Sequence, residues 1–513
     1  MSKLDYIKKL YNGKNCYSDH MSEDELQLLH IASHAEGLIK DMLERKKIIF
    51  LTGNPGDGKT FVIKAVDSAI RDCAAYVEKD LNNIADYDAV VTNIVECYQQ
   101  HRPAIIAVNE YPFLQLCRHI KKREPDIYKE LLAVKAKLIT YDTSLDLTER
   151  VAIIDLNERN LLDPSKELLE QLINKFVELL LPEAGQNKAL DYNLRAFSIP
   201  EIKEQVLSLM RLATVNTKHF AIRDILGAFA YIFTACLMEE TENESFYSAI
   251  FSGTNQFLQA VQQLDPVYLS SPALDEGLWY GEITEGWQLG VPDKWPCSQE
   301  FEENVDEALR CFKEVKRRYY FENVHGHKLR ELQPDEIKKC TTIFEGFDAK
   351  KRKLKQQLVK AINKLFMPSL DDKRQLHIWT TLRYDISIPA AVAVSSKAID
   401  CNELDIHIPR PADWLSGMEY VPDHIIMTPK GKRDPSLRLD MDFIRALFKI
   451  DEGYPVGLLA SNYEQAAAKF LQQLDDNRLA EENDDGEIII ASRRKSYKKS
   501  VYIQDGQYGF EEN

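Results

Sequence analysis

The strongest chemical signal is a glycine-rich segment, Gly53-Asn54-Pro55-Gly56-Asp57-Gly58-Lys59-Thr60. It has the spacing G-x-x-x-x-G-K-[ST], in which the glycines let consecutive main-chain N–H groups turn towards phosphate oxygens. In that chemistry Lys59 reaches the β- and γ-phosphates of a nucleoside triphosphate, and the hydroxyl of Thr60 binds Mg²⁺. We therefore predict ATP and Mg²⁺ as cofactors, with residues 53–60 holding the phosphates.

Candidate acids stand at the ends of two later apolar runs. Ala104–Val108 is followed by Asn109 and Glu110, and Val151–Leu156 contains Asp155. An aspartate at such a strand end holds Mg²⁺, and a glutamate beside it activates the attacking water. Asn109 stands where the aspartate is usual and offers an acceptor without negative charge. We predict Glu110 as the general base with Asn109 near the metal; the alternative takes Asp155 as the metal-binding acid.

Three further polar side chains are candidates for contact with the γ-phosphate. Asn157 follows the third strong apolar run, and we expect that run to lie beside the strand that ends at Glu110. Arg159 could stabilise transition-state charge in its own subunit or in a neighbouring one, and Arg223 could close over the phosphates from a helix. The structural alternatives are a surface ion pair for Arg159 and, for Arg223, pairing with Asp224 or another carboxylate at the start of a buried helix.

The elements that must position these residues alternate between strands and helices. Short apolar runs at 48–52, 74–77, 104–108 and 151–156 are separated by helical patterns, and the run at 74–77 is weak. Such alternation predicts βαβ units and a parallel sheet. Before it, Ser22 and Glu25 form a capping-box pattern, and apolar spacing of 3.6 predicts one helix from there to Leu43. A later helix over Ile222–Met238 is apolar nearly all round, so we expect it to be buried.

Periodicity and composition divide the chain into five segments. The predicted segments are 1–46, N-terminal and helical; 47–165, the α/β core; 166–265, a helical lid; 266–370, an aromatic-rich connector with basic helices; and 371–513, a C-terminal α+β domain.

The overall charge excludes a protein that binds polyanions with its whole surface. The 513 residues carry 65 Lys and Arg against 81 Asp and Glu, a net charge of −16. Contact with DNA would have to come from local basic patches, which are Lys313 with Lys316–Arg318, Lys350–Lys353 with Lys355, Lys360 and Lys364, and Arg493–Lys499. The alternatives are core aromatic side chains beside surface charge for the first patch and the solvated face of an amphipathic helix for the second. For the third patch the alternative is a basic loop near the last strands.

The apolar stretches and the cysteines of the sequence indicate the cellular location that we expect for the protein. No uncharged apolar stretch reaches 18 residues, so we expect no membrane segment. The nine cysteines are scattered and form no Cys-x-x-Cys pair, which is typical of reduced thiols in a cytoplasmic protein.

In the order of its motifs the chain resembles the AAA+ branch of the P-loop ATPases. Residues 53–60 match Walker A, Ile105–Glu110 resembles Walker B, Val151–Asn157 resembles the sensor-1 strand, and a helical lid follows. Finer features are similar to the ATPase component of bacterial DNA phosphorothioation-dependent restriction and related anti-phage systems; these are Gly56–Thr60, Asn109-Glu110, Asp155–Arg159 and Lys316–Glu322. The resemblance implies an ATPase that drives a nuclease or other effector protein against invading DNA.

The subunit arrangement and the reaction have alternatives at this stage. A homo-oligomer is expected if Arg159 acts on a neighbouring subunit. Asn109 also leaves room for an ATP-dependent scaffold that hydrolyses little, and a small-molecule kinase is a weaker third reading.

Overall fold

The computed structural model divides the chain into two compact units. The first contains residues 1–333 and 410–421, and the second contains residues 334–409 and 422–513. The residues that the structure describes are 3–11, 22–81, 86–140, 150–163, 167–185, 187–214, 219–238, 244–326, 339, 342–344, 346–379, 392–395, 397–410, 413–415, 417–456, 461–482, 487–492, 496–504 and 507–512.

A four-stranded parallel sheet forms the centre of the first unit. Its strands are β1 (Ile48–Thr52), β2 (Tyr76–Glu78), β3 (Ala104–Val108) and β4 (Val151–Asp155), in the order β2-β3-β1-β4. All three pairings are parallel, and every residue of β1 and β3 is buried. These strands, apolar except for Thr52, are covered on both faces, as central strands of a parallel sheet are. The predicted α/β class and parallel sheet are confirmed.

Helices make up most of the rest of the first unit. They are α1 (Lys3–Tyr11), α2 (Glu23–Leu28), α3 (His34–Glu44), α4 (Lys59–Ala65), α5 (Asp67–Asp72), α6 (Tyr87–Gln99), α7 (Glu110–Arg123), α8 (Pro125–Thr140), α9 (Leu168–Leu180), α10 (Lys188–Phe197), α11 (Pro200–Ala213), α12 (Ile222–Thr234), α13 (Phe246–Ser252), α14 (Gln256–Gln262), α15 (Pro272–Trp279) and α16 (Val305–Glu322).

The single helix predicted from Ser22 to Leu43 is wrong, because the structure has two. The capping box of Ser22 and Glu25 does begin α2, but that helix ends at Leu28. A second start follows, where the Ser33 N–H donates to the Glu36 carboxylate at 3.2 Å and α3 begins. Apolar spacing continues across the break, so periodicity alone does not reveal it.

We call helices α9–α12 the helical layer, and the N-terminal helix α1 packs with it. Buried side chains of α1 join the core of α9–α12, whereas those of α3 join the core of the sheet. Helix α1 packs on α12, where a Cβ at Gly227 would lie 3.1 Å from the Leu10 carbonyl oxygen. As predicted, α12 is a buried helix; it ends at Thr234, and a 3₁₀ turn (Ala235–Leu237) follows.

The basic patch on α16 is tied into its own unit. Lys316 pairs with Asp275 at 2.6 Å, and Arg317 pairs with Asp265 at 2.6 Å. Arg318 Nε donates to Glu322 at 2.8 Å. The aromatic side chains that follow, Tyr319–Phe321, are buried. The geometry therefore favours the structural alternative for this patch.

The second unit combines helices with antiparallel strands. Its elements are α17 (Phe347–Phe366), β5 (Gln375–Ile378), β6 (Val392–Ser395), β7 (Lys397–Asp400), β8 (Leu404–His407), β9 (His424–Pro429), β10 (Leu437–Asp440), α18 (Met441–Asp451), α19 (Ser461–Asp476), β11 (Glu481–Glu482), β12 (Glu487–Ser492), β13 (Ser496–Gln504) and β14 (Gln507–Glu512). Among the described residues the sheets have the orders β10-β9-β8, β11-β7-β5 and β14-β13-β12-β6.

Helix α17 carries the second basic patch and packs on α18. Lys360 and Lys364 bind Asp451, and Lys351 pairs with Asp405. Three of the seven cations of this patch are therefore paired with carboxylates of their own unit, and the apolar side chains of the same helix are buried, as in an amphipathic helix. The basic run that begins at Arg493 lies partly outside the described residues.

A short segment lies between two sequence stretches of the second unit but packs with the first unit. We call Arg410–Val421 the strap: it comes after β8 and before β9, yet it belongs to the first unit. Trp414 Nε1 donates to the carbonyl oxygen of Ile153 in β4 at 3.0 Å, and Leu415 and Met418 are buried in the core of the sheet. The strap thus packs against the edge strand of the parallel sheet.

No helix in the described part of the chain has the length and apolarity needed to cross a bilayer.

Candidate functional site

The register of the sheet brings the predicted site residues to one edge. Thr52 is paired with Val108 on one side and with Asp155 on the other. The glycine-rich turn (Gly53–Thr60), Asn109 and the Asp155 carboxylate therefore meet at the carboxyl ends of three adjacent strands. In open α/β sheets this is the edge that binds ligands.

The backbone of the glycine-rich turn needs its glycines. Gly53, Gly56 and Gly58 have φ values of 148°, 99° and 84°, a region that other residues rarely adopt. A Cβ at Gly56 would also lie 3.2 Å from the Ala221 Cβ. The turn leads directly into α4, which begins at Lys59.

Lys59 curls back inside this turn. Its Nζ donates to the carbonyl oxygens of Gly53 at 2.7 Å and Asn54 at 2.8 Å. Burial lowers the pKa of Lys59, and the charges of Asp57, Asp80 and Asp155 oppose that effect without cancelling it. The Lys59 ammonium is thus held by two main-chain carbonyl oxygens of the turn.

The carboxylate of Asp57 stabilises the turn through two short contacts. Its carboxylate accepts from the Asn54 N–H at 2.6 Å and lies 2.6 Å from Nε2 of His219, while only 4% of the residue is exposed. Burial alone would lower the pKa of His219, but the hydrogen bond and charge of Asp57 outweigh it, and the pKa is raised. The Arg223 N–H donates to the Gly56 carbonyl at 3.3 Å. The turn is therefore tied to the start of α12 at two points.

Asn157 contacts the glycine-rich turn, but the strand before it has a different neighbour from the one predicted. Its Oδ1 accepts from the Asn54 N–H at 3.2 Å. The expectation that its strand lies beside the strand ending at Glu110 is wrong, because β1 separates β3 from β4. Strand order depends on contacts distant in sequence, which a local pattern does not contain.

The two alternative acids flank the turn in different environments. Asp155 accepts from the Thr52 hydroxyl and from the Asn157 N–H, the latter at 3.0 Å. Burial raises the pKa of Asp155, and the charges of Asp57 and Glu110 act in the same direction. Glu110 is exposed at the first position of α7, with Asn109 as the N-cap residue.

Metal ligands around this edge are few. Within the described ranges, no three His, Cys, Asp or Glu side chains come together as a metal cluster. Magnesium in nucleotide sites commonly uses one or two protein oxygens together with phosphate oxygens and water. The Thr60 hydroxyl, the Asn109 amide and the Asp155 carboxylate carry oxygen atoms of the type that such a metal binds.

Arg159 forms a buried ion pair with a residue from the strap. Its Nε donates to Glu419 Oε2 at 2.8 Å, and the side chains are 6% and 0% exposed. Burial by itself raises the pKa of Glu419, but the charge and hydrogen bond of Arg159 lower it overall. An ion pair was the structural alternative for Arg159, although a surface pair was expected.

A cavity of about 250 Å³ lies over this edge. Its polar wall contains most of the glycine-rich turn together with Asp80, Asn109, Arg159 and Arg223. Its apolar wall is formed by side chains of α1, α9 and α12 and by the segment between α2 and α3; these are Tyr6, Leu10, Leu29, Ile31, Leu168, Leu169, Leu172, Ile222, Ile225 and Leu226.

Sequence reasoning missed several residues of this site. Asp80 follows the weakly predicted strand β2, and a polar residue after that strand was the available signal. His219 and Glu419 gave no signal in the sequence, because His219 contacts Asp57, and Glu419 contacts Arg159, only in the folded chain.

Comparisons of the chain with protein-family models, with curated proteins and with solved structures find no match.

Proposed function

We propose that the protein binds ATP with Mg²⁺ at the glycine-rich turn, as a P-loop ATPase of AAA+-like type. The observation that carries this proposal is Lys59, whose ammonium lies within a turn of three positive-φ glycines at the carboxyl edge of a parallel sheet. A triphosphate would compete with the two carbonyl oxygens for this cation, and the start of α4 adds main-chain N–H donors.

The surroundings of the turn are consistent with a nucleotide. Arg159 and Arg223 line the same cavity as Lys59, so cations surround the expected position of the phosphates. The apolar wall offers a surface for a nucleobase, since ligand sites combine apolar walls with a few placed polar groups.

Hydrolysis would use residues on both sides of β1. In this proposal Thr60, Asn109 and Asp155 hold Mg²⁺, and Glu110 accepts a proton from the attacking water. Glu110 stands exposed at the first position of α7, where its carboxylate is open to water. Asn157, hydrogen-bonded to the turn, would respond to the γ-phosphate.

A second candidate function is an ATP-dependent scaffold with little hydrolysis. Asn109 favours it, because an amide at this position adds no negative charge for a metal. Both candidates require nucleotide binding and differ in turnover.

Calorimetry with ATP and Mg²⁺ tests the binding that both candidates share. We expect saturable binding by the wild-type protein, loss of binding in Lys59→Ala, and unchanged binding in Lys64→Ala, which removes the next lysine of α4. Absence of heat with the wild-type protein, or equal binding by Lys59→Ala, would overturn the proposal. Phosphate release by the wild-type protein then separates the ATPase from the scaffold.

We further propose that ATP turnover drives or gates an effector protein in defence against foreign DNA, with several copies of the chain acting together. The support for this step is the resemblance of the short motifs at 56–60, 109–110 and 155–159. Turnover measured with and without double-stranded DNA tests the client, and sedimentation with and without ATP tests the oligomer.

A further inference from the structure

We propose that Glu419 of the strap is a positioning residue, which orients Arg159 towards the phosphate end of the nucleotide. The inference rests on the proposed function, and it adds to that site a residue 260 positions away in sequence. It makes the strap part of the nucleotide site.

The first support is the geometry of the pair. The Arg159 Nε–H donates to Glu419 at 2.8 Å, and a guanidinium carries four further N–H donors. Arg159 also lines the cavity that contains Lys59 and Thr60. A carboxylate on the Nε side fixes the plane of the guanidinium, and that plane sets the direction of the remaining donors.

The second support is how firmly Glu419 itself is held. Its main-chain carbonyl accepts from the Asn160 N–H at 2.9 Å, and the next N–H, of Tyr420, donates to Asp163 at 3.3 Å. The strap is thereby hydrogen-bonded to the chain directly after Arg159. Buried Trp414 and Met418 fasten the rest of the strap to the sheet.

The third support is the electrostatic balance at Glu419. Its side chain is fully buried, and an isolated buried carboxylate is unfavourable unless it is paired. His34 approaches the other carboxylate oxygen at 3.4 Å through both its N–H and its ring. Arg159 supplies the shortest contact, so the arginine and the glutamate fix each other.

The experiment compares nucleotide binding and turnover in the wild-type protein, Glu419→Gln, Arg159→Met and the double variant. Glu419→Gln keeps the size of the side chain and removes its charge. We expect the preference for ATP over ADP to fall roughly tenfold in Glu419→Gln, as for loss of one charged hydrogen bond. If the wild-type protein turns over, we also expect kcat to fall more than KM changes.

Non-additivity separates positioning from simple stability. If Glu419 acts through Arg159, Glu419→Gln has no further effect on nucleotide preference in the Arg159→Met background. The double variant also removes both buried charges together, so it stays informative if a single variant folds poorly. Trp414→Phe is the control: it loses the strap's hydrogen bond to Ile153, and we expect a lower Tm with unchanged nucleotide preference.

The outcomes distinguish this inference from the proposed function. No ATP binding by the wild-type protein overturns the proposed function itself. Binding by the wild-type protein with an unchanged preference in Glu419→Gln overturns the positioning role alone. So do additive effects of Glu419→Gln and Arg159→Met, or a Trp414→Phe variant that loses preference as Glu419→Gln does.

Discussion

Nε2 of His219 lies 2.6 Å from Oδ1 of Asp57, and this contact joins the residues before α12 to the glycine-rich turn. The same Asp57 carboxylate accepts from the Asn54 N–H within the turn. The shape of the turn therefore depends on a charged contact with the helical layer, in addition to its glycines.

This contact predicts a pH-dependent stability. The pKa of His219 is raised above its ordinary value of 6.5, so its stabilising effect is complete below pH 6.5 and is lost as pH rises through the raised pKa. We expect urea unfolding to show the largest difference between wild type and His219→Gln below pH 6.5. The charges facing His219 are those of Asp57, Asp155 and Asp224. A difference that grows with rising pH would contradict the prediction.

Gly56→Ala should destabilise the turn by more than the cost of a positive φ alone, because the new Cβ would also be crowded. A non-glycine residue at positive φ costs about 1–3 kcal/mol, and the new Cβ would lie 3.2 Å from the Ala221 Cβ and 3.3 Å from the Arg223 guanidinium carbon. Gly185→Ala is a matched control, because its φ is 89° and nothing lies within 4 Å. We expect Gly56→Ala alone to weaken ATP binding measured by calorimetry, and equal effects would argue against the close packing.

Glu110→Gln should separate binding from chemistry. The amide keeps the size of the side chain but accepts no proton, so we expect ATP affinity to stay and phosphate release to fall by roughly 10²- to 10⁴-fold. Glu124→Gln, at the other end of α7, should leave both quantities unchanged. Unchanged phosphate release in Glu110→Gln would move the role of base to another residue, with Asp155 the first to test.

Removing one partner of the Arg159–Glu419 pair should destabilise the first unit strongly. Glu419→Ala leaves a buried guanidinium without its carboxylate, and such losses amount to about 3–5 kcal/mol. Replacing both residues with methionine should recover much of that loss, because no buried charge then remains unpaired. Chemical denaturation of both variants checks this, and a double variant as unstable as Glu419→Ala would show that the pair is not the cause.

Local features of the fold were predictable from the sequence. The apolar run of β1, the glycine turn and the helix that begins at Lys59 follow one another within 18 residues, and each has its own signal in residue type and spacing. The burial of α12 was likewise visible in its nearly uniform apolar composition. These features depend on neighbours in sequence.

Features set by distant contacts were not predictable in the same way. The position of β4 beside β1 depends on which strands pair, and several orders satisfy the same alternating pattern. The partner of Arg159 lies in a strap whose sequence resembles an ordinary connection between β8 and β9. The ion pairs of Lys316 and Arg317 were hidden for a similar reason: a cationic run looks the same whether it faces solvent or buried carboxylates.

The strap has a practical consequence for dissecting the molecule. A fragment that stops at residue 333 would lack Trp414, Leu415 and Met418, and so would expose apolar surface along β4. It would also lack the carboxylate that faces Arg159. Expression of an isolated N-terminal piece is therefore expected to give aggregation-prone material, and a minimal version of the first unit should carry residues 410–421 grafted back through a linker.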